Sequence, residues 1–181
     1  IQHLAANGMP VVGICGGYQM LGETIHDPEH VESRQDSALG LNLLPIKTIF
    51  AGEKATHQAN AQIKNGSGWF TNLEGEKVSG YEIHMGRTQS QSPWLEVNER
   101  SGESVQVLDG ASSDDGRIWG CYVHGLFANE NLRRAWLRSL GWSENKTKEN
   151  ENPFAESLTR LADTLEVTLD MDLLEKIIWE D

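Results

Sequence analysis

The stretch Gly13-Ile14-Cys15-Gly16-Gly17-Tyr18-Gln19 sets a thiol between an apolar run, Val11-Val12-Gly13-Ile14, and a segment able to start a helix, Tyr18-Gln19-Met20-Leu21. Strand, tight turn and helix in that order expose a nucleophile at the turn, and small residues on either side allow the strained backbone this requires. Amides opening the helix point toward the thiol, so they are expected to lower its pKa and to donate to an oxyanion. The same residues also fit a small buried hydrophobe in a glycine-rich turn, as free cysteines commonly are.

A cysteine nucleophile needs a base. His124 ends the apolar run Ile118-Trp119-Gly120-Cys121-Tyr122-Val123 and precedes Gly125, where a strand opens into a loop. In a parallel sheet the strand C-termini share one edge, so His124 and Cys15 can meet there despite their separation in sequence. Alone, His124 also fits a structural histidine bonded to backbone; its pairing with Cys15 favours the base. Cys121, inside the strand leading to His124, is expected to pack rather than react. His26-Asp27-Pro28-Glu29-His30 superficially suggests a metal site, but Pro28 breaks the helix that would put both histidines on one face. A solvated loop is expected there, and no metal is inferred.

The elements that must position Cys15 and His124 alternate in type. Leu43 to Phe50, Gln58 to Ile63, Val78 to His84, Val105 to Leu108 and Ile118 to His124 have strand-like stretches separated by turn residues. Asn129 to Leu140 reads as a helix with Leu132, Trp136 and Leu140 on one face and Gly141 as its stop. Ile1 to Ala6 reads as the end of a helix without an N-cap, followed by the stop Asn7-Gly8, which suggests a fragment. The expected organisation is a core over 1–142, a polar linker over 143–152 and an acidic helical segment over 153–181. Asn152 and Pro153 suit a helix start, Phe154, Leu158, Leu161 and Leu165 line one face, and Asp170 can cap a last helix carrying Leu174, Ile177 and Ile178. The acidic helices can dock on the core or on another domain, with their charge a solvated face.

The length, 181 residues, suffices for one domain with a core, and 38% hydrophobic residues with six tryptophans exclude global disorder. Fifteen Lys and Arg against 27 Asp and Glu give a net charge of −12, which argues against a basic patch for nucleic acid or an anionic membrane. No apolar run approaches a membrane span, and the first residues lack a signal-peptide pattern. Two cysteines make no disulfide framework and fit a reducing cytoplasm.

Taken together, Gly13 to Gly22, Asp27-Pro28, Gly80-Tyr81-Glu82-Ile83-His84-Met85-Gly86 and Gly120 to Phe127 resemble the glutamine amidotransferase domain of cobyric acid synthase, in the same motif order from Val11 to about Leu140. The resemblance implies a class I glutamine amidotransferase-like α/β fold, flavodoxin-like with a largely parallel sheet and here truncated at its N-terminus. It implies hydrolysis of glutamine, with Cys15 forming a thioester, His124 moving the proton, Gly16 donating an N–H to the oxyanion and Gln19 holding the amino-acid end of the substrate. Tyr81, Glu82 and His84 become substrate-pocket candidates; Tyr81 and Ile83 also fit core, and Glu82 a backbone partner. Corrinoid carboxylates would be amidated by a synthetase domain using ATP and Mg, with no cofactor in this chain itself, which has no G-x-x-x-x-G-K-[ST] loop.

Two positions depart from the wider class. Leu126 stands where many class I amidotransferases carry a Glu two residues after the histidine, leaving at best a Cys-His dyad. The glycine-containing loop that supplies the other half of the oxyanion hole precedes the nucleophile strand in the family and is not found here, so the chain alone is expected to hydrolyse glutamine poorly. Competing readings are a related amidotransferase acting on cobyrinic acid diamide or lipid II, a cysteine hydrolase of the same fold, and a non-catalytic interaction module.

Overall fold

The alternation of apolar and turn-forming residues resolves into strands and helices over residues 1–143 and 153–179, which a computed structural model describes. In chain order these are α1 (Gln2–Ala6), β1 (Val11–Ile14), α2 (Gly16–Leu21), β2 (Thr24–His26), β3 (Ser37–Leu39), β4 (Lys47–Ile63) and β5 (Lys77–Gln89). There follow β6 (Leu95–Arg100), β7 (Glu103–Asp109), β8 (Ala111–Ser112), β9 (Ile118–Cys121), α3 (Glu130–Ser139), α4 (Pro153–Thr168) and α5 (Met171–Trp179). They divide into Ile1–Trp142 and Ser143–Asp181. Apart from Ser143, the polar linker expected over 143–152 lies outside the described residues.

The first unit is mixed α/β, and the sense of its strands corrects one expectation. Only β1 with β9 and β2 with β4 run parallel; β2–β3, β4–β5, β4–β6, β6–β7 and β8–β9 are antiparallel. Parallel pairing needs a long crossover, whereas β6 and β7 are joined by Ser101 and Gly102, both at positive φ (50° and 89°), a turn that fits a tight hairpin. The two stretches expected as separate strands, Leu43 to Phe50 and Gln58 to Ile63, belong largely to the single β4, which bends through a register shift between Phe50 and Ala55.

One sheet has the order β1-β9-β8; the other runs β3-β2-β4-β6-β7, with β5 on β4. Between and beneath them lies a core of Ile63, Phe70, Trp94, Leu95, Val97, Trp119, Val123, Leu126 and Leu132, joined by stacked Phe70 and Trp94. A second cluster of Tyr18, Leu21, Leu44, Ile46, Ala111 and Tyr122 seats α2. Gly13 and Gly120 face each other across β1 and β9, and both are needed: a Cβ on Gly13 would lie 2.6 Å from the Gly17 oxygen, and one on Gly120 2.8 Å from Tyr18 Cδ2. The pair lets α2 lie close on the sheet, which fixes the turn between β1 and α2. In the second unit, Asp170 Oδ1 accepts the Leu173 N–H at 3.0 Å, the cap expected for α5.

Candidate active site

Cys15 occupies the turn between β1 and α2 at φ 53°, ψ −114°, a backbone conformation a residue with a Cβ seldom adopts. The strain is held by the parallel ladder, which continues one residue past β1 as the Cys15 N–H donates to the Cys121 oxygen at 2.9 Å, and by α2, whose Gln19 N–H donates to the Cys15 oxygen at 3.1 Å. Beyond Cys121, the chain of β9 runs on to His124. Its N–H donates to the Tyr81 oxygen at 2.8 Å, and its oxygen accepts the Tyr81 N–H at 3.2 Å.

The edge of β5 is therefore the meeting place. Cys15 Sγ–H donates to the Ile83 oxygen at 3.4 Å, two residues along β5 from the Tyr81 pair with His124. Alternate carbonyls of a strand point to the same edge and lie about 7 Å apart. The Cys15 thiol and the His124 backbone thus flank one short piece of one strand edge. Close approach there depends on Gly80, because a Cβ at that residue would stand 2.2 Å from the His124 oxygen. Among the described residues no hydrogen bond joins Cys15 to His124, and His124 Nε2 is buried without a partner.

Burial pushes the Cys15 thiol up from its ordinary pKa, the Gly16 N–H pulls it down, and the charge of Asp109 adds to the rise. The net direction is upward, which corrects the expectation of a lowered value: the amide at the start of α2 is where the sequence put it, but desolvation outweighs it. Such a thiol stays protonated at rest and needs a base to react. Cys121 is fully buried, its thiol donating to the Val123 oxygen at 3.5 Å, and burial raises it well above its usual range.

The other candidates divide by side. Tyr81, 41% exposed, lays its ring on that of His124. Gln19 is buried and donates through Nε2 to the Tyr122 hydroxyl at 3.3 Å, within a chain that continues to Thr88 and Thr48 at 2.6 Å each. Glu82 is 1% exposed; its oxygens accept Arg100 Nε at 2.7 Å and Nη2 at 2.8 Å, and Oε1 lies 3.4 Å from His84 Nε2. Burial opposes ionisation of Glu82, but His84 and Arg100 hold its pKa down at about 2. His84 stacks on Tyr122 and places Nδ1 2.8 Å from the Gly86 oxygen. A cavity of about 380 Å³ opens on this side of β5, lined by Glu82, His84, Gly86, Arg100 and Asp109 among others; neither Cys15 nor His124 lines it.

Three participants were not singled out from sequence. Arg100 and Asp109 carry no local motif, and Asp109-Gly110 reads as a turn. Asp109 is buried, accepts the Gly110 N–H at 2.6 Å and the Tyr122 N–H at 2.9 Å, and burial raises its pKa to about 6. Tyr122, two residues before His124, joins both networks. The segment after His26 also differs from a plain solvated loop. Asp27 is buried, and its carboxylate accepts the N–H groups of Val31, Glu32 and Ser33 at 2.7, 2.9 and 2.7 Å. His30 pairs with Asp36 at 3.3 Å.

Comparison with known proteins follows the same residues. Residues 1–132 match the CobB/CobQ-like glutamine amidotransferase domain. The chain is 46% identical over 155 residues to the cobyric acid synthase of Roseiflexus castenholzii, covering 84% of this chain and 30% of that protein. It is 43% identical over 175 residues to that of Herpetosiphon aurantiacus (95% and 33%), and 38% identical over 180 residues to that of Dehalococcoides mccartyi (97% and 36%). The chain spans about a third of the length of these relatives. No helix among the described residues is long and apolar enough to cross a membrane.

Proposed function

Because the chain belongs to the CobB/CobQ-like glutamine amidotransferase domain family over residues 1–132, we propose that it releases ammonia from glutamine through Cys15 and His124 for the amidation of corrinoid carboxylates. The reaction served is that of cobyric acid synthase, from adenosylcobyrinic acid a,c-diamide to cobyric acid, the name borne by its relatives. ATP and Mg²⁺ serve the acceptor-activating step, in a synthetase domain such as the resemblance implies, in a reducing cytoplasm. The observation that carries the reading is the shared edge of β5, where the Cys15 thiol meets the Ile83 oxygen and the His124 backbone meets Tyr81.

The chemistry follows from what each group can give. His124 Nε2, buried and unpartnered, accepts the Cys15 proton. The thiolate attacks the carboxamide carbon, and the carbonyl electrons move to oxygen, where the Gly16 N–H receives the charge. Collapse of this intermediate breaks the C–N bond as the imidazolium protonates the departing nitrogen, leaving a glutamyl thioester and ammonia. Water, losing a proton to the same imidazole, then attacks the thioester, and the thiolate leaves to give glutamate. Gln19 is the candidate for the amino-acid end of the substrate, while Glu82 and His84 brace the strand beside it.

Incubating the chain with an electrophilic glutamine analogue and mapping the adduct by mass spectrometry tests the assignment. Label on Cys15, with Cys15→Ser abolishing both label and glutamine-dependent ammonia release, is the expected result. Label on Cys121, or ammonia release undiminished in Cys15→Ser, overturns it.

A further inference from the structure

A catalytic imidazole ordinarily takes its orientation from a hydrogen-bonded carboxylate or carbonyl. His124 has none among the described residues. Position 126 holds Leu126, 1% exposed in the core, and the acidic groups nearest in the fold are spent elsewhere, Glu82 on Arg100 and His84, Asp109 on two backbone amides. What lies on the His124 ring is the ring of Tyr81. Their planes differ by 6° and their centroids are 4.9 Å apart, an offset parallel stack. The backbones of these two residues are tied by both of their reciprocal hydrogen bonds, 2.8 and 3.2 Å, which hold the two Cα positions side by side beneath the stack. Gly80, with no Cβ to fend off the His124 oxygen, allows that approach.

We infer that Tyr81 is the positioning residue for His124, holding the plane of the imidazole with a ring face where related enzymes use a carboxylate. This inference rests on the reading of His124 as the base. The physical content is twofold. A stacked ring restricts rotation of the imidazole about its side-chain bonds, which keeps Nε2 in its buried position. An aromatic face is also electron-rich, so it favours the imidazolium that exists after Cys15 gives up its proton and before ammonia receives it. The Tyr81 hydroxyl makes no hydrogen bond among the described residues, so the ring, and not the phenol, does the positioning.

The alternative, that Tyr81 is only a wall of the substrate pocket, differs in what it moves. A substrate contact that persists from ground state to transition state raises KM; misplacement of the base lowers kcat. Three variants, Tyr81→Phe, Tyr81→Leu and Tyr81→Met, are compared in the same chain, with folding followed by circular dichroism and His124 ring protons followed by NMR. Tyr81→Phe is expected to keep kcat within about twofold and to keep the upfield ring-current displacement of the His124 protons. Tyr81→Leu and Tyr81→Met should lose that displacement and lower kcat about 10- to 100-fold, the cost of a small misplacement of a reacting group, with KM changed less than about threefold. A Tyr81→Leu or Tyr81→Met protein that folds and keeps kcat overturns the inference, as does one whose only change is a raised KM. Ammonia release undiminished in Cys15→Ser would instead remove the premise, and the NMR displacement still reports whether Tyr81 holds the ring in that event.

Discussion

Tyr81 and Glu82 are neighbours in the chain, yet Tyr81 is 41% exposed with its ring on His124, while Glu82 is 1% exposed with both oxygens on Arg100. Successive residues of a strand face opposite ways, so β5 carries two environments a residue apart. On one, the groups are strained or unmet: Cys15 sits at positive φ, and His124 Nε2 is buried with nothing to bond. On the other, polar atoms are paired: Glu82 to Arg100 and His84, His84 to the Gly86 oxygen, Gln19 to Tyr122. Unmet buried polar groups cost stability, and so they persist only where the surroundings hold them. The difference teaches that the paired side of β5 is the support that lets the other side keep its unmet groups.

The sharpest way to break this comparison is to remove chemistry from one side and support from the other. His124→Ala should lower glutamine-dependent ammonia release about 10²- to 10⁴-fold, the range for a positioned acid–base group, with little change in the denaturation midpoint. Comparable turnover in that variant removes His124 from the mechanism. Glu82→Gln should do the reverse. It leaves Arg100 facing a neutral amide, and breaking a buried ion pair costs about 3 kcal/mol, read by urea unfolding. A loss below about 0.5 kcal/mol, the level of an ordinary surface change, would mean that Glu82 does not support the strand. The pH arm has a definite sign. Glu82 is held at about 2, below its ordinary 4.5, so its contribution is complete above pH 4.5 and is lost as pH falls through about 2; Glu82→Gln should flatten the decline across that window.

A smaller effect tests the seam between the two sides. A Cβ at Gly80 meets the His124 oxygen at 2.2 Å and Val123 Cγ1 at 2.6 Å, so Gly80→Ala must push β5 away from residue 124. Overpacking of this kind costs about 1–3 kcal/mol, and the displacement should reduce kcat as well, since it parts His124 from the β5 edge. Unaltered stability and turnover would show that the seam has slack.

How much of this was legible before the structure varies with the range of the interaction. Cys15 announces itself because strand, turn and helix are consecutive, and His124 because it ends an apolar run. The helix over Asn129 to Leu140 is likewise local and returns as α3 (Glu130–Ser139). Strand sense was not legible: the runs around Gln58 and Val78 carry the same pattern whichever way they pair, and only the connections made most of them antiparallel. The Ala51 to Thr56 stretch hides the continuity of β4, having Gly52 and Lys54 where apolar residues would signal a strand. The division of Tyr81-Glu82-Ile83-His84 into two environments follows from alternation, but which parity faces the thiol depends on the pairing of β5 with His124, a contact 43 residues distant. Asp109 likewise depends on a partner outside its own strand, the Tyr122 amide 13 residues on.

The smallest expected effect concerns that last residue, and it bears on whether the paired side is fully satisfied. Asp109 accepts two backbone amides, yet burial still raises its pKa to about 6 from an ordinary 3.8. A carboxyl raised in the folded state favours folding in its protonated form. That contribution is complete below pH 3.8 and is lost as pH rises through about 6, the opposite sense to Glu82 in a largely separate window. Asp109→Asn keeps the shape, removes the titration, and gives up one acceptor, because the amide nitrogen cannot take an N–H. At pH 7 the relief of a buried charge and the loss of a hydrogen bond oppose each other, so the net change should stay within about 1 kcal/mol. Between pH 4 and about 6 the curves should separate: the original protein loses stability relative to Asp109→Asn as pH rises, measured by urea unfolding at closely spaced pH values. Parallel curves would mean that the two amides outweigh burial and that Asp109 is ionised throughout, making the inward side of β5 as well matched at this carboxylate as it is at Glu82.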